Sequence, residues 1–473
     1  MECLDSPEEL FVKVIDDYSE REGEDLFETR SRRGIFAPAL VMWLMIYQRL
    51  SRRQTLVGAL ESIWRGECDL VLSKNQRSKA IRERQISLGN SGLCRSRERL
   101  RVELARKVVN VLSRYLIERE RKDYRWRGMT VVLVDGTRLT LPHTEDILED
   151  YKPIRNQSRE AYNPQLLCLC AHELFTGIAF APRIAPHRGE KTKSETKLFT
   201  ELVKDLPPNC LLIGDRLYGC FSAVYRAVEA GHDVLIRLTR TRFNAICKGE
   251  ETGRDFAREV QWKITPNVAK AHDLPKETLI RGTVIQYTVR RKGYAPLVLR
   301  FFTTSKEPAA DLVALYAKRE HIENDIRSLK VTLGMERLNG KSSDIIEKEV
   351  LLGFGAYSLM RAVTARSAKK LGIQPRDISF SRAASLTQIY GNRVRNSTTA
   401  KERDKLLSEF LRGLNQSKLS HRTRYRCEPR KCVYHRSRFP LMKNSREEER
   451  ALALALAKKS GHRGFMTTVS RSY

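Results

Sequence analysis

Two short apolar runs, each ending in an aspartate, constrain this chain more than any other feature. MTVVLVDG closes on Asp135 and Gly136, and CLLIGD closes on Asp215. Runs of this length, flanked by turn residues, read as buried strands. Around them the texture alternates. RLTLP reads as a partner strand after a tight turn at Asp135–Gly136, and PQLLCLCAHEL and TGIAFAPRI as two more strands. Glu195–Asp205 and SAVYRAVEA read as helices, and HDVLIRL as a strand. Strands alternating with helices imply an α/β fold, a mixed sheet covered on both faces.

The flanking segments differ in kind. Residues 1–125 read as a helical N-terminal domain of two or three helices, among them FAPALVMWLMIYQRL and the basic amphipathic stretch CRSRERLRVELARKVVNVLSRYL. Such helices serve either to dock on DNA or as a structural cap. Residues 126–239 hold the first part of the α/β core. From 240 to 305 helical texture gives way to alternation, in TLIRGTVIQYTVRRKG and APLVLRFFTTS, which suggests a β-rich insertion. Residues 306–370 resume the core, with a long helix opened by Pro308 and running to about Leu333, then another over Ser343–Lys370. Residues 371–473 form a basic C-terminal region for DNA contact or dimerisation.

Charge points to the partner. The 473 residues carry 87 Lys and Arg against 57 Asp and Glu, a formal net charge of +30. Residues 391–473 alone hold 21 bases and 7 acids, whereas residues 1–30 hold eleven acids and three bases. A field this uneven attracts a polyanion, and double-stranded DNA is the expected one. In RTRYRCEPRKCVYHRSRF the bases are interleaved with aromatic rings, which suits phosphate contact plus stacking. The longest apolar run, Phe36 to Tyr47, is twelve residues and too short to span a bilayer. The acidic N-terminus does not read as a secretion signal, and ten scattered cysteines suit free thiols in a reducing cytoplasm.

Chemistry concentrates in YAKREHIENDIRSLK. On a helical wheel Tyr316, Arg319, Glu323 and Lys330 share one narrow stripe, beside a core face of Leu315, Ile322, Ile326, Leu329 and Leu333. A polar stripe at that boundary can face a cleft. In an open sheet functional groups gather at the carboxyl ends of strands, where Asp135 and Asp215 stand. With Glu323 beside them, three carboxylates converge and repel unless cations separate them. Oxygen-only ligands select magnesium or manganese, and two such ions suit in-line phosphodiester displacement.

These residues resemble a known family. Tyr316, Arg319, Glu323 and Lys330 match Y-x2-R-x3-E-x6-K, the signature of the IS-four group of bacterial insertion-sequence transposases. Upstream, VLVDGT and LIGDRLYG look like that family's two aspartate motifs, the second in its D-R-x-[FY] form. The resemblance covers roughly 30–370. It implies a ribonuclease-H-like core interrupted by a β-rich insertion before the glutamate. Asp135, Asp215 and Glu323 would be the catalytic, metal-binding triad, holding two Mg²⁺ ions, with Mn²⁺ as a substitute. Arg319 and Lys330 would hold DNA-end phosphates, Tyr316 the same strand end, and Arg216 and Tyr218 would join the DNA-binding set. The family implies a bacterial, cytoplasmic, nucleoid-associated enzyme that binds its element's inverted repeats as a synapsed homodimer and moves DNA by cut-and-paste. Members that pass through hairpin ends stack a flipped base on an insertion tryptophan shortly before the glutamate. Here that segment's only tryptophan is Trp262, about sixty residues earlier, with Tyr287, Tyr294 and Phe301 as other flat rings, and no residue is assigned the role.

Each feature has a plainer reading when taken alone. Asp135-Gly136 suits a turn, Glu323 a solvated helix acid, and Arg319 and Lys330 helix-surface partners of Glu323 or Asp325. Their conjunction favours the catalytic reading. Cys427, Cys432 and His435, with His421 nearby, have a spacing that zinc would accept, but incidental residues of a basic tail are the better reading. Cys168 and Cys170 fall on one face of a strand and suit the core, while His187 and the following RGEK form a polar loop. Two other functions compete: a non-catalytic DNA-binding regulator descended from a transposase, and a structure-specific nuclease of the same fold.

Overall fold

The computed structural model describes residues 5–24, 26–27, 35–51, 54–72, 77–78, 89–120, 123–155, 161–247, 254–290, 296–419 and 444–459. An eight-stranded sheet, in the order β3-β2-β1-β4-β5-β8-β7-β6, organises the molecule. Its strands are β1 Thr130–Thr140, β2 Gln165–Glu173, β3 Arg183–Pro186, β4 Cys210–Gly214, β5 Asp233–Arg237, β6 Phe256–Lys263, β7 Leu279–Val289 and β8 Leu297–Thr303. β1, β4 and β5 run parallel, and β2 lies antiparallel to β1. That arrangement of the first five strands is the ribonuclease-H-like core, as expected.

Alternation along the central strands sends side chains to two separate cores. Val131, Leu133, Leu211, Ile213 and Leu235 meet one face, together with Leu312, Leu315 and Ile322 of the helical run after Pro308. Val132, Val134, Leu212, Val234 and Ile236 meet the other, packed by Leu198 and Phe199 of one helix and Ala223 and Val224 of the next. Both faces are therefore buried, which is why these strands read as unbroken apolar runs.

Several sequence expectations are corrected. There is no turn at Asp135–Gly136: β1 continues through both residues to Thr140, paired with β2 from Val132 to Thr140. The TGIAFAPRI strand shrinks to β3, preceded by a single bridge between His172 and Ala179. The 240–305 segment is not free of helix, because Arg240–Cys247 and Pro266–His272 are helical. Its three strands extend the core sheet, since β8 pairs with β5 through Leu235↔Thr303.

The N-terminal region holds five described helices where two or three were expected: α1 Pro7–Glu22, α2 Pro38–Leu50, α3 Leu56–Trp64, α4 Ser91–Arg99 and α5 Val102–Glu120. α3 packs on α2, and the other four pack on α6 (Ser343–Leu371), whose middle is buried on every side from Val350 to Ala365. Buried ions tie the two together. Glu349 accepts from Arg49 at 3.2 Å and Arg97 at 2.8 Å, and the Lys348 ammonium donates to the Arg97 and Glu98 carbonyls that end α4.

The acidic leader is likewise built into the fold. Leu10, Phe11 and Val14 are core residues of α1, Asp5 pairs with Lys13 and Arg366, and Glu8 accepts from Arg395 at 2.8 Å. Deleting it would remove a core helix along with the charge. Burial pushes the Glu8 carboxyl up to about 7 although Arg395 pulls it down. A raised folded value stabilises the chain most at low pH, fully below the ordinary value near 4.5, and the gain is lost as pH rises through about 7. Glu8→Gln should therefore flatten the fall in stability between pH 5 and 8 (approximate bounds). Urea midpoints across that range check this, and an unchanged slope contradicts it.

Candidate active site

Register alone brings the two strand acids together. The parallel ladder between β1 and β4 ends at Leu133↔Ile213, and Asp135 and Asp215 each stand two residues beyond that rung. Side-chain alternation then turns both toward the face on which Leu133 and Ile213 lie. The helical run after Pro308 crosses that face. It consists of α7 (Ala309–Tyr316), a 3-10 turn at Ala317–Arg319, α8 (Glu320–Arg327) and a π-helical turn at Ser328–Thr332. Buried Leu315, Ile322, Leu329 and Leu333 seat the run with partly buried Ile326, matching the core face read from the wheel.

Arg319 stands at the centre. Its guanidinium donates to Asp135 Oδ2 at 3.3 Å and to Glu323 Oε1 at 3.1 Å. Burial would weaken its charge, but Tyr316, Asp135, Glu323 and Asp215 together raise its pKa above the ordinary value. Two of the three expected acids, Asp135 and Glu323, thus pair with one cation, and Asp215 adds only to the field around it. Asp135 is pushed up by burial, held down by Arg319 and pushed up again by Asp215. Its Oδ1 accepts from the Gly136 amide at 3.0 Å, and Asp215 Oδ1 accepts from the Leu217 amide at 2.7 Å. Glu323 is largely exposed, at 58% of its side chain.

Two hard carboxylates pushing on one another suit a divalent cation. The third donor, Glu323, is paired with Arg319. Among the described residues no group of three or more His, Cys, Asp or Glu side chains is gathered closely enough to hold a metal ion. The donor chemistry fits such an ion, and the guanidinium occupies the middle of the set.

The remaining expected residues divide by exposure. Arg216 is exposed and Lys330 half-buried on the π-helical turn. Tyr316 is buried against Phe301, ring centres 4.6 Å apart. Tyr218 is 0% exposed, and its hydroxyl donates inward to Glu195 at 2.5 Å, so in this structure it offers DNA no surface. Of the candidate stacking rings, Phe301 is buried, Trp262 packs on Phe221 and Phe302, Tyr287 is exposed, and Tyr294 lies outside the described residues. Cys427, Cys432, His435, His421 and the basic stretch around them also lie outside the described residues. His187 lines a cleft of about 430 Å³ with Gly136, Arg138, Lys193 and Glu195.

Two residues at the site escaped sequence reasoning. Glu195 opens the helix α9 (Glu195–Leu202) and is pushed up by burial, with Asp135 and Asp215 adding to the rise despite the Tyr218 hydrogen bond. Asp325 is no surface partner of Arg319 or Lys330; it is fully buried and paired with Arg361 and Arg376. Only the D-R-x-Y tyrosine, which needs a buried polar partner, signalled the first.

Residues 126–359 match the transposase DDE domain family. Asp135, Asp215 and Glu323 all lie within the matched residues, as do Arg319 and Lys330. No curated protein matches the chain in sequence. By structure the chain is similar to the piggyBac transposase in its synaptic complex with hairpin DNA, with a TM-score of 0.39 and 10% identity over 85% of this chain and 84% of that one. None of the helices in the described residues is long and apolar enough to cross a membrane.

Proposed function

We propose that this chain is a DDE transposase of the IS-four type that cuts DNA at the inverted-repeat ends of its element and joins them to target DNA, by cut-and-paste. The carrying observation is that Arg319 pairs with both Asp135 and Glu323, while Asp135 and Asp215 stand side by side two residues beyond the last rung of the β1–β4 parallel ladder, all within the residues that match the transposase DDE domain.

Each residue takes a role its position permits. Asp135 and Asp215, with Glu323 as the third acid, would hold the divalent cations, Mg²⁺ or Mn²⁺. When bound, the ions supply the positive charge that activates the attacking oxygen and stabilises the leaving one. Arg319 would hold a DNA phosphate, a geometry its guanidinium fork matches well. Lys330, on the same stripe, adds a second phosphate contact, and exposed Arg216 a third. Tyr316 orders Arg319 from beneath. Pairing of two element ends calls for a homodimer, and the +30 charge suits a partner as anionic as DNA.

The test is excision from a plasmid carrying the gene's native flanking DNA, with Mg²⁺ or Mn²⁺ supplied. A transposase excises the segment and joins it elsewhere. Binding of the flanks without excision would instead establish the DNA-binding regulator. Cleavage indifferent to the flanking repeats, with no joining, would establish the nuclease.

A further inference from the structure

We infer that Glu195 and Tyr218 form a clasp behind Asp135 and Asp215, and that Glu195 is a positioning residue which fixes the spacing of the two aspartates for cation binding. The inference rests on the reading that those two aspartates hold the metal.

The clasp joins the two aspartate motifs through the opposite side of the sheet from Glu323. Gly136 follows Asp135, and a Cβ placed on it would fall 2.3–2.4 Å from the Glu195 carboxyl atoms. Only glycine lets that carboxyl lie flat against β1. The backbone there is extended, so the requirement is for space and not for an unusual conformation. From β4 the chain turns after Asp215 and brings Tyr218 back under the strand, where a Cβ on Gly214 would meet its ring at 2.8 Å. Tyr218 is fully buried, packs on Phe199 with ring centres 5.0 Å apart, and donates its hydroxyl to Glu195 Oε1. Glu195 and Phe199, one turn apart on α9, therefore grip the tyrosine together.

One carboxylate thus contacts the residue after the first aspartate and the residue three after the second. This accounts for the glycine of D-G and the tyrosine of D-R-x-Y by a single partner. Glu195 acts from behind, because Gly136 and Gly214 face the core opposite to that of Leu133 and Ile213. The two aspartates repel, so their spacing needs a rigid support, and metal sites lose affinity when such supports are removed.

The experiment measures Mn²⁺ binding to the full-length protein by loss of the free-ion electron paramagnetic resonance signal. Glu195→Ala and Tyr218→Phe should each weaken binding about tenfold. Glu195→Gln keeps an oxygen to accept from Tyr218 and should bind nearly as the wild type does. Gly136→Ala should weaken binding in the wild type and add little in the Glu195→Ala background. If Glu195→Gln loses as much as Glu195→Ala, the charge itself is needed and the positioning role is overturned. If Asp135→Ala abolishes binding while Tyr218→Phe and Glu195→Ala leave it intact, the clasp is overturned and the metal reading stands. If Asp135→Ala also leaves it intact, the carboxylate site fails and the clasp's function with it. Should Glu195→Ala not fold, the Glu195→Gln and Tyr218→Phe pair decides the same question.

Discussion

Glu323→Gln is expected to lower excision and strand joining by about 10³-fold or more while leaving folding and binding of the element ends nearly unchanged. The argument starts from exposure. Glu323 contributes little to the fold, since 58% of its side chain is exposed and its described contact is the Arg319 pair at 3.1 Å. Exposed helix pairs of this spacing contribute only about 0.3–0.5 kcal/mol. Glutamine keeps the shape and still accepts a hydrogen bond from Arg319. What it loses is the negative charge, which the fold does not need and a cation-binding set does. Urea midpoints and DNA gel shifts should therefore match the wild type while excision collapses. An active Glu323→Gln protein would remove the acid from the catalytic set. Parallel loss of folding would show that the exposed position carries more of the structure than its contacts account for.

How much of this was legible in the sequence depended on whether the signal was local. Val131 to Val134 and Leu211 to Ile213 are buried on both faces, so these stretches stood out as apolar runs, each followed by an acid. The stripe of Tyr316, Arg319, Glu323 and Lys330 was legible because helical spacing places such residues on one side, although a 3-10 turn and a π-helical turn interrupt the helix. The continuation of β1 past Gly136 was not, because Asp-Gly is a strong turn signal and only the approach of Glu195 explains a glycine in mid-strand. Glu195 looked like any acid in a helix's first turn. The pairing of β8 with β5 links residues about seventy apart, and nothing near either strand announces it. Likewise Asp5 and Glu8 stood out only as part of an acidic N-terminus, because their partners lie hundreds of residues away at Arg366 and Arg395.

Asp325, two residues beyond Glu323 on the same helix, should behave in the opposite way. Asp325→Ala is expected to cost about 3–5 kcal/mol of stability, because it leaves two guanidinium groups buried without their anion. Asp325 is 0% exposed and accepts from Arg361 at 2.7 Å, Arg376 at 2.5 Å and the Tyr357 hydroxyl at 2.7 Å. Burial alone would push its carboxyl up, but Arg376, Arg361 and His172 overcome that and hold it well below the ordinary value. Arg376 also donates to the Leu174 and Glu173 carbonyls at the end of β2, so the hub ties α8 to the sheet and to α6. The helix that presents Arg319 and Glu323 to the strand ends is thereby fixed in rotation from its far side. Removing Arg361 together with the acid, as Asp325→Ala with Arg361→Met, should recover part of the loss, since one unpaired cation disappears. Urea denaturation of the single and double variants decides the matter. A single variant as stable as the wild type would mean that water reaches the two arginines and that the hub does not hold the helix. A stable single variant that has nonetheless lost excision would place the hub's contribution in aiming Glu323, not in folding.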